Sequence, residues 1–176
     1  MTTDVHRTIE AVWRIESARL IAGLARLVGD VGVAEDLAQD ALVAALEQWP
    51  ESGVPDSPGA WLMATGKHRA LDLLRRGQML ERTRPVLEHH LAAAHESPEG
   101  ALDRALDDPV GDDLLSLMFT ACHPVLSTEA RVALTLRVVG GLSTPEIARA
   151  FLVPEATVAQ RIVRAKRTLA EARVPF

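Results

Sequence analysis

Apolar residues recur along the chain mainly at three- and four-residue steps, and that rhythm predicts helices throughout. Residues 4–28 form the first: Val12, Ile15, Leu20, Ile21, Leu24, Leu27 and Val28 follow a helical period. Gly29-Asp30-Val31-Gly32 is a stop and a turn. A second helix covers about 33–48. Leu37, Ala41, Ala44 and Leu46 give it an apolar side, with Val43 at the margin, and Glu35, Asp36, Gln39, Asp40 and Glu47 an acidic one. Acidic residues in the first turn also suit the helix dipole. Pro50 to Gly59 holds three prolines and two glycines and reads as a loop. A third helix starts at Ser57-Pro58 and runs to Arg76, with proline in its first turn. Trp61, Leu62, Thr65, Leu71 and Leu74 face the core, and Lys67, His68, Arg69, Arg75 and Arg76 the outside. Gly66 inside this helix costs roughly 1 kcal/mol against alanine. It is expected to mark the close approach of another backbone.

Periodicity then weakens. Residues 80–110 carry Pro85, Pro98, Gly100 and Pro109 and read as a partly ordered linker, with one helical piece near 86–95. From Gly111 the helical rhythm returns. DDLLSLMFTACH is a helix stopped before Pro124, and EARVALTLRVVG is one opened at Ser127 and ended by Gly140-Gly141. Ser143 caps STPEIARAFL, and Pro154 begins PEATVAQRIVRAKRTLAEA. The expected fold is all-α, with two small helical domains: a three-helix domain over 1–79, the linker over 80–110, and a second helical domain over 111–176.

Composition supports this. Of 176 residues 48% are hydrophobic but only 3% aromatic, with no tyrosine, a mix that favours helices over strands. The single Cys122 excludes an internal disulfide and suits a reducing compartment. The first residues lack the basic-then-apolar order of a signal peptide. No apolar stretch approaches the roughly 18–20 residues that span a bilayer. The chain is therefore expected to be soluble and cytoplasmic, without a membrane partner.

The net charge of −5 argues against nucleic-acid binding until its distribution is considered. Residues 1–60 carry four Lys/Arg against ten Asp/Glu, and residues 61–84 six against two. Residues 85–129 carry one against nine, and residues 130–176 eight against three. Two basic blocks thus alternate with two acidic ones. A basic face attracts phosphates whatever the total charge, because screening limits reach to about 8–10 Å. The alternation also predicts that the two halves pack together in the free chain and hide their DNA faces.

No catalytic constellation is present: there is no glycine-rich phosphate loop and no lysine after one. Cys122-His123 lacks a second ligand pair at metal spacing, and reads as a helix end buried against the next helix. His89, His90 and His95 read as solvated linker residues. The chain is expected to be no enzyme and to need no cofactor or metal.

The strongest pattern lies in residues 142–169. A short helix holding Ile147, Ala148 and Phe151 is followed by the turn Leu152-Val153-Pro154. A longer helix then sets Val158, Ile162, Ala165 and Leu169 on one face at steps of four, three and four. Its other faces carry Gln160, Arg161, Arg164, Lys166, Arg167 and Arg173. This is a helix-turn-helix whose second helix is amphipathic and basic. Such a helix fits a major groove about 12 Å wide. The bland alternative is a solvated basic surface helix.

The segment VALTLRVVGGLSTPEIARAFLVPEATVAQRIVRAKRTLAE resembles region 4 of the sigma-70 family, in its extracytoplasmic function (ECF) class. VAEDLAQDALVAALEQW resembles region 2.2, and PGAWLMATGKHRALDLLRR regions 2.3 and 2.4. The likeness covers about residues 7–84 and 112–172, in the family's order. It implies promoter recognition as a dissociable subunit of bacterial core RNA polymerase. The helix 33–48 would dock on polymerase through Asp36, Gln39 and Asp40, with Leu37 partly buried. Lys67, His68, Arg69, Asp72, Arg75 and Arg76 would serve the minus-ten element. Thr157, Gln160, Arg161, Arg164, Lys166 and Arg167 would serve the minus-thirty-five element, with Gln160 and Arg164 reading bases. The acidic linker would thread a basic channel in polymerase; the alternative is a solubilising tether. The family often has glycine at Leu152, a basic residue at Ala159 and asparagine at His68. Trp61 belongs to the core with Trp13 or Trp49 rather than to a stacking platform.

MFTACHPVLS resembles a signature of an ECF subgroup with a long helical C-terminal extension. The expectation is that such an extension is missing after Val174-Pro175-Phe176. An anti-sigma protein or that extension is the implied regulator. Two other readings remain open. A dimeric helix-turn-helix repressor or activator leaves the helix 33–48 unexplained, and a helical adaptor predicts no salt-dependent DNA binding.

Overall fold

The computed structural model describes residues 2–83 and 110–176. All regular structure among them is helical: α1 (Thr2–Val28), α2 (Val31–Ser52), α3 (Pro58–Thr83), α4 (Val110–Ala121), α5 (Thr128–Val138), α6 (Thr144–Phe151) and α7 (Glu155–Glu171). The linker helix expected near 86–95, and His89, His90 and His95, lie outside the described residues.

Local chemistry sets most boundaries. Gly29 takes a left-handed φ of 71° and closes α1 by donating its N–H to Ala25 O at 2.7 Å. Asp30 then caps α2, accepting from the Val33 N–H at 2.9 Å. At its far end α2 departs from the sequence reading. It continues through Pro50 to Ser52 rather than ending before a loop. Proline forfeits one hydrogen bond there, but Trp49 is buried and anchors the turn, and the Gly53 N–H reaches Trp49 O at 2.9 Å. Trp49 packs edge-to-face on Trp61, centroids 5.4 Å apart, so Trp61 joins the core with Trp49. The third helix also outruns expectation, reaching Thr83. A Cβ on buried Gly66 would lie 3.0 Å from Leu24 Cδ1, so what approaches closely is a leucine side chain of α1, not backbone.

In the second half, Ser127 caps α5 and Ser143 caps α6. Ser143 and Glu146 form a reciprocal capping box: the Ser143 N–H donates to Glu146 Oε2 at 2.8 Å, and the Glu146 N–H donates back to Ser143 Oγ. The turn before α7 is made by Leu152 in the left-handed region (φ 54°, ψ 40°). Leucine thus adopts there the backbone conformation for which glycine is the usual residue. Val158, Ile162, Ala165 and Leu169 of α7 are all buried, at the expected steps.

The two halves share one continuous apolar core, from Leu20, Leu24, Trp49 and Leu62 to Leu117, Leu134, Val138, Ile147 and Val158. Helix α1 is the common wall: it packs on α2, α3 and α4 and touches α5. Although α4 follows the linker, it packs more extensively on α1 than on α5.

Candidate DNA and partner interfaces

Three helix faces carry the residues singled out in the sequence. On α7, Gln160, Arg164 and Arg167 are exposed at successive helical turns opposite the buried stripe. Thr157 and Arg161 are half-buried beside them. Arg167 pairs with Glu171 one turn on, at 3.0 Å. Arg161 and Arg164 also border a groove of about 380 Å³ shared with Val125, Ser127 and Glu129. This side of α7 therefore offers an amide and several guanidiniums to solvent with a rigid core behind them. Lys166 points elsewhere: its ammonium sits 2.6 Å from Glu35 Oε2 and 3.8 Å from Asp36 Oδ1, both on α2.

On α3, His68, Asp72, Arg75 and Arg76 are exposed on one side of the helix. Arg69 flanks them, half-buried, 3.2 Å from Asp40. Lys67 is not part of that face. It is 8% exposed, among the groups between α1 and α4. Burial first, and the Arg26 guanidinium second, push its ammonium below the ordinary lysine range, while Asp113 pulls it back up.

On α2, Asp36 and Asp40 are exposed one turn apart, Gln39 is half-buried and Leu37 is buried. Every polar member of this set has an internal neighbour. Gln39 Nε2 donates to Glu35 Oε1 at 3.0 Å, Asp36 lies near Lys166, and Asp40 near Arg69.

Glu35, like Lys67, departs from the sequence reading. The sequence puts it on the acidic side of α2, yet it is 3% exposed and joins the two halves. Arg137 Nε of α5 donates to Glu35 Oε1 at 2.7 Å, while Lys166 takes Oε2. Burial pushes the Glu35 carboxyl up, but hydrogen bonds and charge from Lys166 and Arg137 outweigh it and hold the group below its ordinary value. The signal was available: Val31, Glu35, Ala38 and Ala45 fall at the four-three-seven spacing of one helix face, so Glu35 sits on the buried stripe.

A second pair runs the other way, Arg26 Nε of α1 to Asp113 Oδ1 of α4 at 3.2 Å. The Glu35 contacts join an acidic block to a basic one, but Arg26 and Asp113 both lie in net-acidic blocks, so block alternation does not account for this second pair. Where the halves meet Lys67 is buried and Lys166 half-buried, while Gln160, Arg164, Arg167, His68, Arg75 and Arg76 stay open rather than hidden. Cys122 corrects another expectation: it is exposed, although its Sγ lies 3.5 Å from Thr135 Oγ1 of α5.

Comparisons with known proteins agree with this layout. The family profile "Sigma-70 region 2" matches residues 15–79 and "Sigma-70, region 4" matches residues 116–169, together more than half the chain. An uncharacterized protein of Rhizobium meliloti is 39% identical over 156 residues, 89% of this chain and 36% of that protein. The probable ECF RNA polymerase sigma factor SigI of Mycobacterium tuberculosis is 31% identical over 171 residues, 96% of this chain and 57% of its own length. The probable RNA polymerase sigma-C factor of Mycobacterium bovis is 27% identical over 166 residues, 94% of this chain and 78% of its length. The chain spans between about a third and three-fifths of the first two relatives. Two region profiles in the family's order, on an all-helical frame with an exposed basic helix-turn-helix, mean that the chain belongs to the sigma-70 family, in its extracytoplasmic function class.

Proposed function

We propose that the chain binds bacterial core RNA polymerase and directs it to promoters by contacting a minus-thirty-five and a minus-ten element. The observation that carries this reading is the outward side of α7. Gln160, Arg164 and Arg167 project together from a helix whose opposite side is fixed in the core. In a major groove Gln160 would pair with adenine and Arg164 with guanine, each bidentate contact discriminating by about 1–3 kcal/mol. Thr157, Arg161, Arg167 and, once released, Lys166 would hold phosphates, which position without specifying.

His68, Arg69, Asp72, Arg75 and Arg76 would act at the minus-ten element. Extruding a base there costs a few kcal/mol, which phosphate contacts must offset. Asp36, Leu37, Gln39 and Asp40 would dock on polymerase. The functional units are residues 1–79 and 111–176, joined by the acidic linker 80–110, and the protein works in the cytoplasm. An anti-sigma protein or a further helical segment would regulate it.

The test is binding to core polymerase followed by run-off transcription from a promoter library. Selective initiation is expected. DNA binding without affinity for core polymerase would return the dimeric repressor or activator reading. Loss of both would leave the helical adaptor.

A further inference from the structure

The outward side of α7 is not uniformly polar. Its exposed residues fall into two adjacent rows at four-residue steps, Ala156-Gln160-Arg164 and Glu155-Ala159-Val163-Arg167. Val163 is 65% exposed, although the buried stripe of Val158, Ile162, Ala165 and Leu169 lies on the opposite side of the same helix. It follows Gln160 by three residues and precedes Arg167 by four, so it stands inside the set that faces solvent. A single surface valine needs no explanation. Here Ala156 and Ala159 are exposed beside it. Three apolar residues thus form a patch between Glu155 at the start of the helix and Gln160, Arg164 and Arg167. Packing within the chain gives that patch no partner.

A major groove does. Thymine alone among the four bases places a methyl group on the groove edge. An adenine held by the Gln160 amide brings such a methyl with it, on the thymine of its own pair. We propose that Val163, flanked by Ala159, is a specificity-determining residue that reads the 5-methyl of a thymine in the minus-thirty-five element, on the pair read by Gln160 or the next one. This rests on the reading of α7 as the minus-thirty-five helix. The amide fixes adenine through hydrogen bonds and the valine covers the methyl. Reversing that pair moves the methyl away from Val163, so orientation is read as well as composition. Cations at these two positions would hold phosphates and carry no sequence information. The contact is apolar, so its selectivity is not screened by salt, whereas the phosphate contacts around it weaken steeply as salt rises.

The test uses the full chain assembled with core polymerase, on promoter duplexes recovered from the run-off library. Each thymine of the upstream element is replaced in turn by deoxyuridine, which deletes the methyl and nothing else. At least one replacement should weaken binding about fourfold, the worth of one buried methyl, and by the same ratio at low and high salt. It should fall at or beside the pair whose base preference Gln160→Ala relaxes. Val163→Ala keeps the helix, since alanine is the better helix former. This variant should bind the thymine promoter about fourfold more weakly, and its deoxyuridine effect should shrink to under about twofold, the non-additivity of groups in contact. Arg167→Gln should weaken all these duplexes alike and leave the ratio intact. The proposal is overturned by an element without a methyl-sensitive thymine, by a methyl effect that survives Val163→Ala, or by one that vanishes with Arg167→Gln. Selective binding without any methyl effect removes this inference alone. An upstream element left unprotected from nuclease removes the reading of α7 with it.

Discussion

The two halves of the molecule are stabilised in different ways. The first consists of three long helices of 27, 22 and 26 residues that gain stability along their length, from Leu20, Leu24, Trp49 and Leu62. The second has helices of 12, 11, 8 and 17 residues. An eight-residue helix is unstable alone. The ends of α6 are therefore fixed by the Ser143 cap and by left-handed Leu152, and Ser127 caps α5 in the same way. Distributed packing tolerates an irregular helix end, such as the one at Pro50. Short helices aimed by their caps do not. The half that, on the proposed function, aims α7 at a groove is the half whose angles are set by single residues.

This contrast can be broken at four places. Trp49→Ala should be the most damaging, costing about 3–5 kcal/mol as a large side chain leaves a filled core, measurable as a drop in denaturation midpoint across the whole chain. Second, Glu35→Ala leaves Arg137 and Lys166 facing each other without their acid and should cost about 3 kcal/mol. Its signature is separation of the halves in small-angle scattering while helix content persists.

The same residue gives the seam a pH dependence. The Glu35 carboxyl is held below its ordinary value of 4.5, so its contribution is complete above that pH and is lost as acid protonates the folded form. The radius of gyration should be flat from neutral pH down to about 4.5 and rise below it, and Glu35→Gln should abolish that step.

Third, Ser143→Ala removes the capping box and should cost about 1 kcal/mol. Hydrogen exchange should increase around α6 and leave α1–α3 untouched. Smallest of all, Leu152→Gly should stabilise by about 0.5 kcal/mol, relief of left-handed strain exceeding the added freedom of the unfolded chain. A fall in melting temperature would show that this leucine makes a contact that outweighs its strain.

Much of this was legible beforehand, for identifiable reasons. Caps and breakers act within four residues, so Ser143, Gly29 and the buried stripe of α7 could be read directly. Pro50 misled because a buried tryptophan beside it outweighs one missing hydrogen bond. Glu35 and Lys67 run against the usual link between charge and exposure, since both are buried. Their partners Arg137 and Asp113 are far away in the chain, and pairing at that distance leaves no local pattern. Of the candidate DNA residues, those on the outer sides of α3 and α7 follow helical spacing and were found. Lys67 and Lys166 are distinguished from their neighbours only by how the two halves meet.

The position of α1 as a wall shared by both halves has a consequence for synthesis. Helix α1 leaves the ribosome first, but α4, which covers part of it, begins only at Val110. At a translation rate of roughly 5–20 residues per second, that side of α1 waits on the order of ten seconds for its cover. The nascent chain can meanwhile close α2 and α3 onto the other side. If α1–α3 close before α4 is made, the strip of α1 that α4 later covers stays in water for that interval, the kind of exposed apolar surface that favours aggregation during synthesis.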